Sequence, residues 1–376
     1  MKQLTSFESG ASVDVDKLVT LLGNAYSKLI NNNKPISSFP SVMLWGQPGV
    51  GKSQAVRQIG ELIKKNTKKE VVVTDVRLLL FNPIDLRGIP VMDAERKLAI
   101  WLKPKIFAMN ESKDYINILL LDEISAAPQS VQAAAYQITL DRKVGEHKLP
   151  DNCIVLAAGN RITDKSVAYK MPKALANRLL HFNIESKFKS WKAWAIRNDI
   201  HPMVVGFLSF KNDALNKFDP EKEDLAFATP RSWEMVSNLL NNISDDINEI
   251  YPLIRGLVGT GVASEFRMFA NVFHHLPDIK EIFDGTSFDV PSDPSVVYAL
   301  CSAMVSYVKN NQDDLRGIAN SIDYMRSLPR DFAIMLIQDY QLISDKFASK
   351  VRKMPEFAKL VHDNASFLNG MNNEYN

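Results

Sequence analysis

The chain has 376 residues, 46% of them hydrophobic and 23% charged, with 45 basic against 43 acidic side chains and a net charge of +2. That length suggests two or three domains with ample material for a core, and the balanced charge gives no electrostatic case for a dedicated nucleic-acid binder. No apolar run approaches a membrane span, no apolar leader opens the chain, and Cys153, Cys301 and the six histidines fall in no metal or redox spacing, so the chain reads as cytoplasmic.

Residues 1–12 read as loose. From Asp14 onward Val15, Leu18, Leu22, Ala25, Tyr26, Leu29 and Ile30 recur at helical spacing, and the Asn-rich stretch before Pro35 stops that helix. The apolar run 42–45 then reads as a buried strand, and a helical pattern resumes after Ser53 and runs to Ile63. Between them lies Gly46-Gln47-Pro48-Gly49-Val50-Gly51-Lys52-Ser53, followed by Gln54, with the spacing of a phosphate-cradling loop. Glycines there let backbone N–H groups turn inward around a phosphate with no Cβ in the way. The following helix adds its unpaired amides and positive dipole end. Lys52 is placed to reach the β and γ oxygens of a nucleotide, and the Ser53 hydroxyl to ligate Mg²⁺.

The lysines at 64–69 read as an anion patch or as a solvated helix end, and the β-branched run 71–74 predicts a second buried strand. Residues 81–105 carry Pro83, Gly88, Pro90 and Pro104 between short extended pieces at 89–92 and 98–102, which predicts an inserted hairpin or loop, functional or merely capping the sheet. The strand 116–121 ends in Asp122-Glu123, the complement a phosphate loop needs: Asp122 would hold Mg²⁺, directly or through water, and Glu123 would polarise the attacking water. A helix over 125–140 and a turn at 141–146 follow. The strand 153–157 leads to Asn160, whose carboxamide either serves a turn or bonds both the γ-phosphate and the water. A short helix at 174–178 precedes a fifth strand at 180–184, and Arg178 is either a surface residue or a charge offered to a neighbour's γ-phosphate. Beyond 188 the pattern is helical, with Pro230 opening one helix, a linker at 284–294 and a frayed end at 369–376.

The order of these signals resembles that of AAA+ ATPases, and more narrowly the MoxR-type branch. The likeness is carried by Leu44-Trp-Gly-Gln-Pro-Gly-Val-Gly-Lys-Ser53, Asp85-Leu-Arg-Gly-Ile-Pro90, Leu121-Asp-Glu-Ile124 with Ala127-Pro-Gln-Ser-Val-Gln132, Ala157-Ala-Gly-Asn160 and Thr229-Pro-Arg-Ser-Trp-Glu234. The resemblance implies an α/β fold: an AAA+ P-loop NTPase core with a five-stranded parallel sheet between helices over 1–184, a helical lid over 185–283 and a C-terminal helical domain over 284–376. It implies ATP and Mg²⁺ as cofactors, residues 46–54 as the nucleotide loop, Ser53 and Asp122 as metal ligands, and Lys52 and Glu123 as catalytic. Asn160 corresponds to the sensor, Arg178 to the arginine finger acting on an adjacent subunit, and Arg231 to the lid arginine. Arg142 faces an interface in some relatives. The family further implies a self-assembled ring, six-membered as a rule, that remodels or activates a protein client alongside a von Willebrand factor A-type adaptor. A nucleic-acid motor and an ATP-dependent assembly scaffold are the competing readings, and the near-neutral charge speaks against the first.

Overall fold

A computed structural model describes residues 11–364 other than 94, 96, 165–168 and 170. Of the stretch 1–12, expected to be loose, residues 1–10 lie outside the described residues, as does the end at 369–376 that was expected to fray, whereas Ala11 and Ser12 belong to a strand. The chain divides into two compact units, one running to Lys187 and including Asp219–Glu223, the other made of Phe188–Phe218 and the residues from Asp224 onward.

In the first unit β1 (Ala11–Asp14) leads into α1 (Val15–Asn31), β2 (Val42–Trp45) into α2 (Lys52–Thr67), and β3 (Glu70–Arg77) into α3 (Pro83–Arg87). The hairpin β4 (Ile89–Asp93) and β5 (Leu98–Leu102) follows, then β6 (Tyr115–Asp122) and α4 (Gln129–Asp141). A small hairpin of β7 (Lys143–Val144) and β8 (His147–Lys148) precedes β9 (Cys153–Gly159), α5 (Lys173–Ala176) and β10 (Leu180–Glu185). Six strands form one parallel sheet in the order β1-β10-β2-β9-β6-β3.

Among the described residues the sheet therefore holds six strands where five were expected. The sixth, β1, pairs Ala11 with Phe182 and Asp14 with Glu185; Val13 is buried in the core, and the Asp14 carboxylate accepts the Lys17 N–H at 2.8 Å to cap α1. The other difference is β3, expected to be buried. Among the described residues only β6 pairs with it, so it is the outer strand there, and Val72 remains 44% exposed.

Successive strand residues face opposite sides of the sheet. Val42, Leu44, Ile118, Leu120, Ile154 and Leu156 pack under Leu18 and Leu22 of α1 and Ile59 and Ile63 of α2. Met43, Trp45, Leu119, Leu121, Val155 and Ala157 face Val131, Ala135 and Ile138 of α4. Helices on both faces explain why β2, β6 and β9 are nearly unbroken apolar runs. Each fully buried Leu or Ile contributes about 1.5–3 kcal/mol. The neighbouring order β2-β9-β6 brings the carboxyl ends of these three strands side by side, the edge where parallel sheets bind ligands.

The second unit is helical: α6 (Phe188–Arg197), α7 (Pro202–Phe210), α8 (Pro230–Asn242), α9 (Ile247–Val258), α10 (Thr260–Ala270) and α11 (Ile279–Asp284). It continues through α12 (Pro294–Asn310), α13 (Leu315–Met325), α14 (Arg330–Leu342), α15 (Asp345–Val351) and α16 (Pro355–Asp363). One apolar cluster surrounds Trp233, Phe207 and Phe266, and another surrounds Met304, Leu336, Tyr340 and Phe347. A buried ion pair, Lys192 to Asp339 at 2.6 Å, ties α6 to α14.

Helix α7 is capped by His201, whose Nδ1 accepts the Met203 N–H at 3.2 Å. Burial lowers the His201 pKa from 6.5 to about 4, against a smaller opposing effect of Asp245. The unfolded chain takes up this proton as the pH falls below 6.5, whereas the folded chain resists until about 4. The stabilisation is therefore complete above the unfolded value and is lost as the pH falls between the two, by about 3 kcal/mol. His201→Asn keeps a cap and removes the titration. Thermal unfolding from pH 7 to pH 4 should then show the variant gaining on the parent; a constant difference across that range contradicts the assignment.

Candidate nucleotide site

The site grows from the end of β2. Gly46 leaves the strand with its N–H donated to the Gly159 carbonyl at 3.3 Å. Gly49 and Gly51 then take φ of 79° and 99°, left-handed backbone that a side chain would strain. Gly51 caps α2, and its carbonyl accepts the Ala55 N–H at 2.8 Å, so the helix opens with its free amides at the loop.

Lys52 Nζ lies 2.6 Å from the Gly46 carbonyl, 3.0 Å from that of Gln47 and 2.8 Å from Asn160 Oδ1. The Ser53 hydroxyl donates to Asp122 Oδ2 at 2.7 Å, and Asp122 Oδ1 accepts the Glu123 N–H at 2.8 Å. Residues spread over more than a hundred positions of sequence thus meet at one sheet edge. Lys52 and Asn160 share a hydrogen bond, so one phosphate group can touch both. Ser53 Oγ and the Asp122 carboxylate are adjacent hard oxygens, a donor set suited to magnesium, which keeps several waters and takes few protein ligands. Within the loop Val50 is buried, while Gln47, Pro48 and Gln54 are half-buried.

Glu123 has a left-handed φ of 59°, an uncommon conformation costing about 1–2 kcal/mol for a residue with a Cβ. Its neighbours hold it there. The Ile124 N–H donates to Ala158 on β9 at 3.0 Å, and the Asn160 N–H donates to the Ser125 hydroxyl at 2.9 Å. Gln132 Nε2 reaches the carbonyls of Ser125 and Ala127 at 3.2 and 3.0 Å. The residues at 125–128 are a turn rather than the start of α4, and that turn laces the Glu123 loop to Asn160. Ser125 and Gln132 carry no role in the sequence reading, because nothing in local spacing marks their hydrogen bonds. Burial and the nearby charge of Asp122 raise the pKa of Asp75, opposed by Arg77 and Arg57; a bound cation would relieve this concentration of negative charge.

Arg178 does not join the cluster. It is exposed on the turn 176–179 between α5 and β10, and it lines a cavity of about 150 Å³ with Ser37, Ser41, Asp141 and Arg142. Arg142 turns inward and donates to the Cys153 carbonyl. Arg231 is exposed in the first turn of α8, in the second unit, where Thr229 caps the helix by accepting the Ser232 N–H at 3.1 Å.

The sheet order and the joined loop, acids and amide define a P-loop ATPase core of the AAA+ kind, extended by helices. Residues 41–181 match the family model described as the ATPase family associated with various cellular activities (AAA). A comparison with curated proteins finds no match. Among solved structures the chain is similar to PCH-2 of C. elegans, at 12% identity and a TM-score of 0.36, over 68% of this chain and 67% of that one. It is also similar to a mutant of RuvB from Thermotoga maritima, at 15% identity and a TM-score of 0.35, over 72% of this chain and 74% of that one. The protein is an ATP hydrolase. Among the described residues no helix is long and apolar enough to cross a membrane.

Proposed function

We propose that this ATPase is a MoxR-type AAA+ motor, acting in the cytoplasm as a ring of its own subunits to remodel or activate a protein client. The observation that carries the nucleotide part is the pair of contacts Lys52–Asn160 and Ser53–Asp122 at one sheet edge. Within the loop 46–54, the backbone amides other than that of Pro48, which has no N–H, and that of Gly46, which is taken by the Gly159 carbonyl, bind the phosphates of ATP together with the Lys52 ammonium. Ser53 and Asp122 would hold magnesium, which would supply charge neutralisation to the phosphates. Asn160 orients the water, and Glu123 takes its proton as the water oxygen bonds to the γ-phosphorus. The bond to the β-phosphate oxygen breaks, and ADP and phosphate leave. Residues 185–283 serve as the lid, with Arg231 as its γ-phosphate reader by the family motif, and residues 284–376 form the C-terminal domain.

Arg178 acts on the adjacent subunit. Its exposure on a short turn, away from its own Lys52 cluster, supports that role, and head-to-tail contacts of this kind close into rings, of six by family precedent. The hairpin β4–β5 supports the client role, since Ile89, Met92, Leu98 and Leu102 are 60%, 81%, 59% and 53% exposed. Apolar side chains gathered on one exposed hairpin fit contact with another protein, a client or a von Willebrand factor A-type adaptor.

Phosphate release is the primary test. Magnesium-dependent release from ATP that rises more than linearly with protein concentration is expected; release that is linear from the lowest concentrations contradicts the ring. Binding to DNA that weakens steeply with salt would instead favour a nucleic-acid motor.

A further inference from the structure

We propose that His181 is a positioning residue that couples the nucleotide loop of one subunit to Arg178, the arginine that the subunit offers its neighbour; this rests on the ring reading above. Trp45 is the last residue of β2, immediately before Gly46 of the loop. In the parallel pair β10–β2, His181 lies opposite Met43 and Trp45 opposite Asn183, so the two side chains are diagonal neighbours on one face. Their ring planes are nearly parallel, 12° apart with centroids separated by 6.2 Å, and the indole Nε1–H points at His181 Nδ1 over 2.9 Å.

An indole nitrogen only donates, so Nδ1 must be the bare acceptor and the ring proton must sit on Nε2. That nitrogen lies 2.8 Å from the Ala176 carbonyl and donates to it. The same carbonyl accepts the Leu179 N–H at 3.2 Å, closing the turn 176–179 on which Arg178 stands. Leu179 is buried in the cluster that also contains Trp45.

Arg178 is thus a solvent-facing side chain on a backbone turn fixed at both ends. One of those fixings runs through two hydrogen bonds to Trp45, the residue immediately before the phosphate loop. A neutral imidazole is suited to this bridge because it offers one acceptor and one donor on opposite sides of a rigid ring. A shift of the loop on nucleotide exchange is transmitted through Trp45 and His181 to the turn, and so to the arginine that completes the next site.

The test uses full-length subunits in mixed rings. Wild-type subunits are diluted into a large excess of Glu123→Gln subunits, whose own sites are silent but whose Arg178 serves the wild-type sites. Phosphate release per wild-type subunit is then compared with the same mixture in which the excess subunit also carries Arg178→Ala, His181→Phe or His181→Gln. Misplacing a transition-state group by about 1 Å costs up to about a hundredfold. With His181→Phe we expect kcat at the wild-type sites to fall by about ten- to a hundredfold, with KM for ATP changed by less than about twofold. His181→Gln, which can accept and donate, should restore most of the rate. Full turnover beside His181→Phe subunits, with turnover lost beside Arg178→Ala subunits, overturns the coupling and leaves the ring reading intact. Full turnover beside Arg178→Ala subunits overturns both. Should His181→Phe fail to assemble, Trp45→Phe in the same background removes the donor at the other end; it must reproduce the loss, and an unchanged rate beside it overturns the proposal.

Discussion

Replacing Glu123 with Gln should lower ATP turnover by about 10²–10⁴ while leaving ATP bound, the loss expected when a general base is removed. The amide has the shape of the carboxylate but cannot take the water's proton. The substitution leaves Asp122 and its contact with Ser53 in place, so the proposed magnesium ligands and the Lys52 cradle persist. The left-handed backbone at position 123 is held by the neighbouring hydrogen bonds of Ile124 and Ser125, not by its side chain, so the loop should keep its course. Single-turnover phosphate release, measured beside direct nucleotide binding, separates the two effects. Unchanged turnover would mean that the water is activated elsewhere; lost binding would mean that Glu123 supports the loop and not the chemistry.

The second large effect is expected at Arg178, which touches nothing in its own subunit's nucleotide cluster. If it completes the adjacent site, Arg178→Ala should cost about 10³–10⁵ in turnover, the value of a supplied arginine in phosphoryl transfer. Mixing gives the sharper result. Arg178→Ala subunits keep a sound site but lack the donated arginine; Glu123→Gln subunits lack the base but still donate. Each alone should be nearly inactive, and the mixture should recover a substantial fraction of parental turnover. No recovery, or full turnover by Arg178→Ala alone, would remove the inter-subunit site.

Much of the candidate site was legible in the chain because its chemistry is written locally. The glycines before Lys52, the acids ending β6 and the amide ending β9 each announce themselves by residue type at a strand end, and the structure joins Lys52, Ser53, Asp122 and Asn160. What stayed hidden depends on which strands are neighbours. The run 71–74 has the composition of a central strand, yet β3 is at the sheet's edge, and no local pattern encodes strand order. β1 was invisible because four residues with only Val13 buried carry too little alternation to register. Helix α9 runs on through Pro252, because packing of Ile247, Ile250, Ile254 and Val258 on one face outweighs the hydrogen bond the proline cannot donate. His181 looks like any of the polar residues that alternate with Leu180, Phe182 and Ile184 along β10, and its partner Trp45 is 136 residues away.

The central claim is that the loop ending in Lys52 and the acids at 122–123 grip one magnesium-bound triphosphate. ATP affinity measured with and without Mg²⁺, in the parent and in Asp122→Asn, tests it most directly. The account predicts that magnesium tightens ATP binding to the parent and that Asp122→Asn loses this gain while its magnesium-free affinity stays at the parental value. A magnesium gain that survives intact in Asp122→Asn would contradict it.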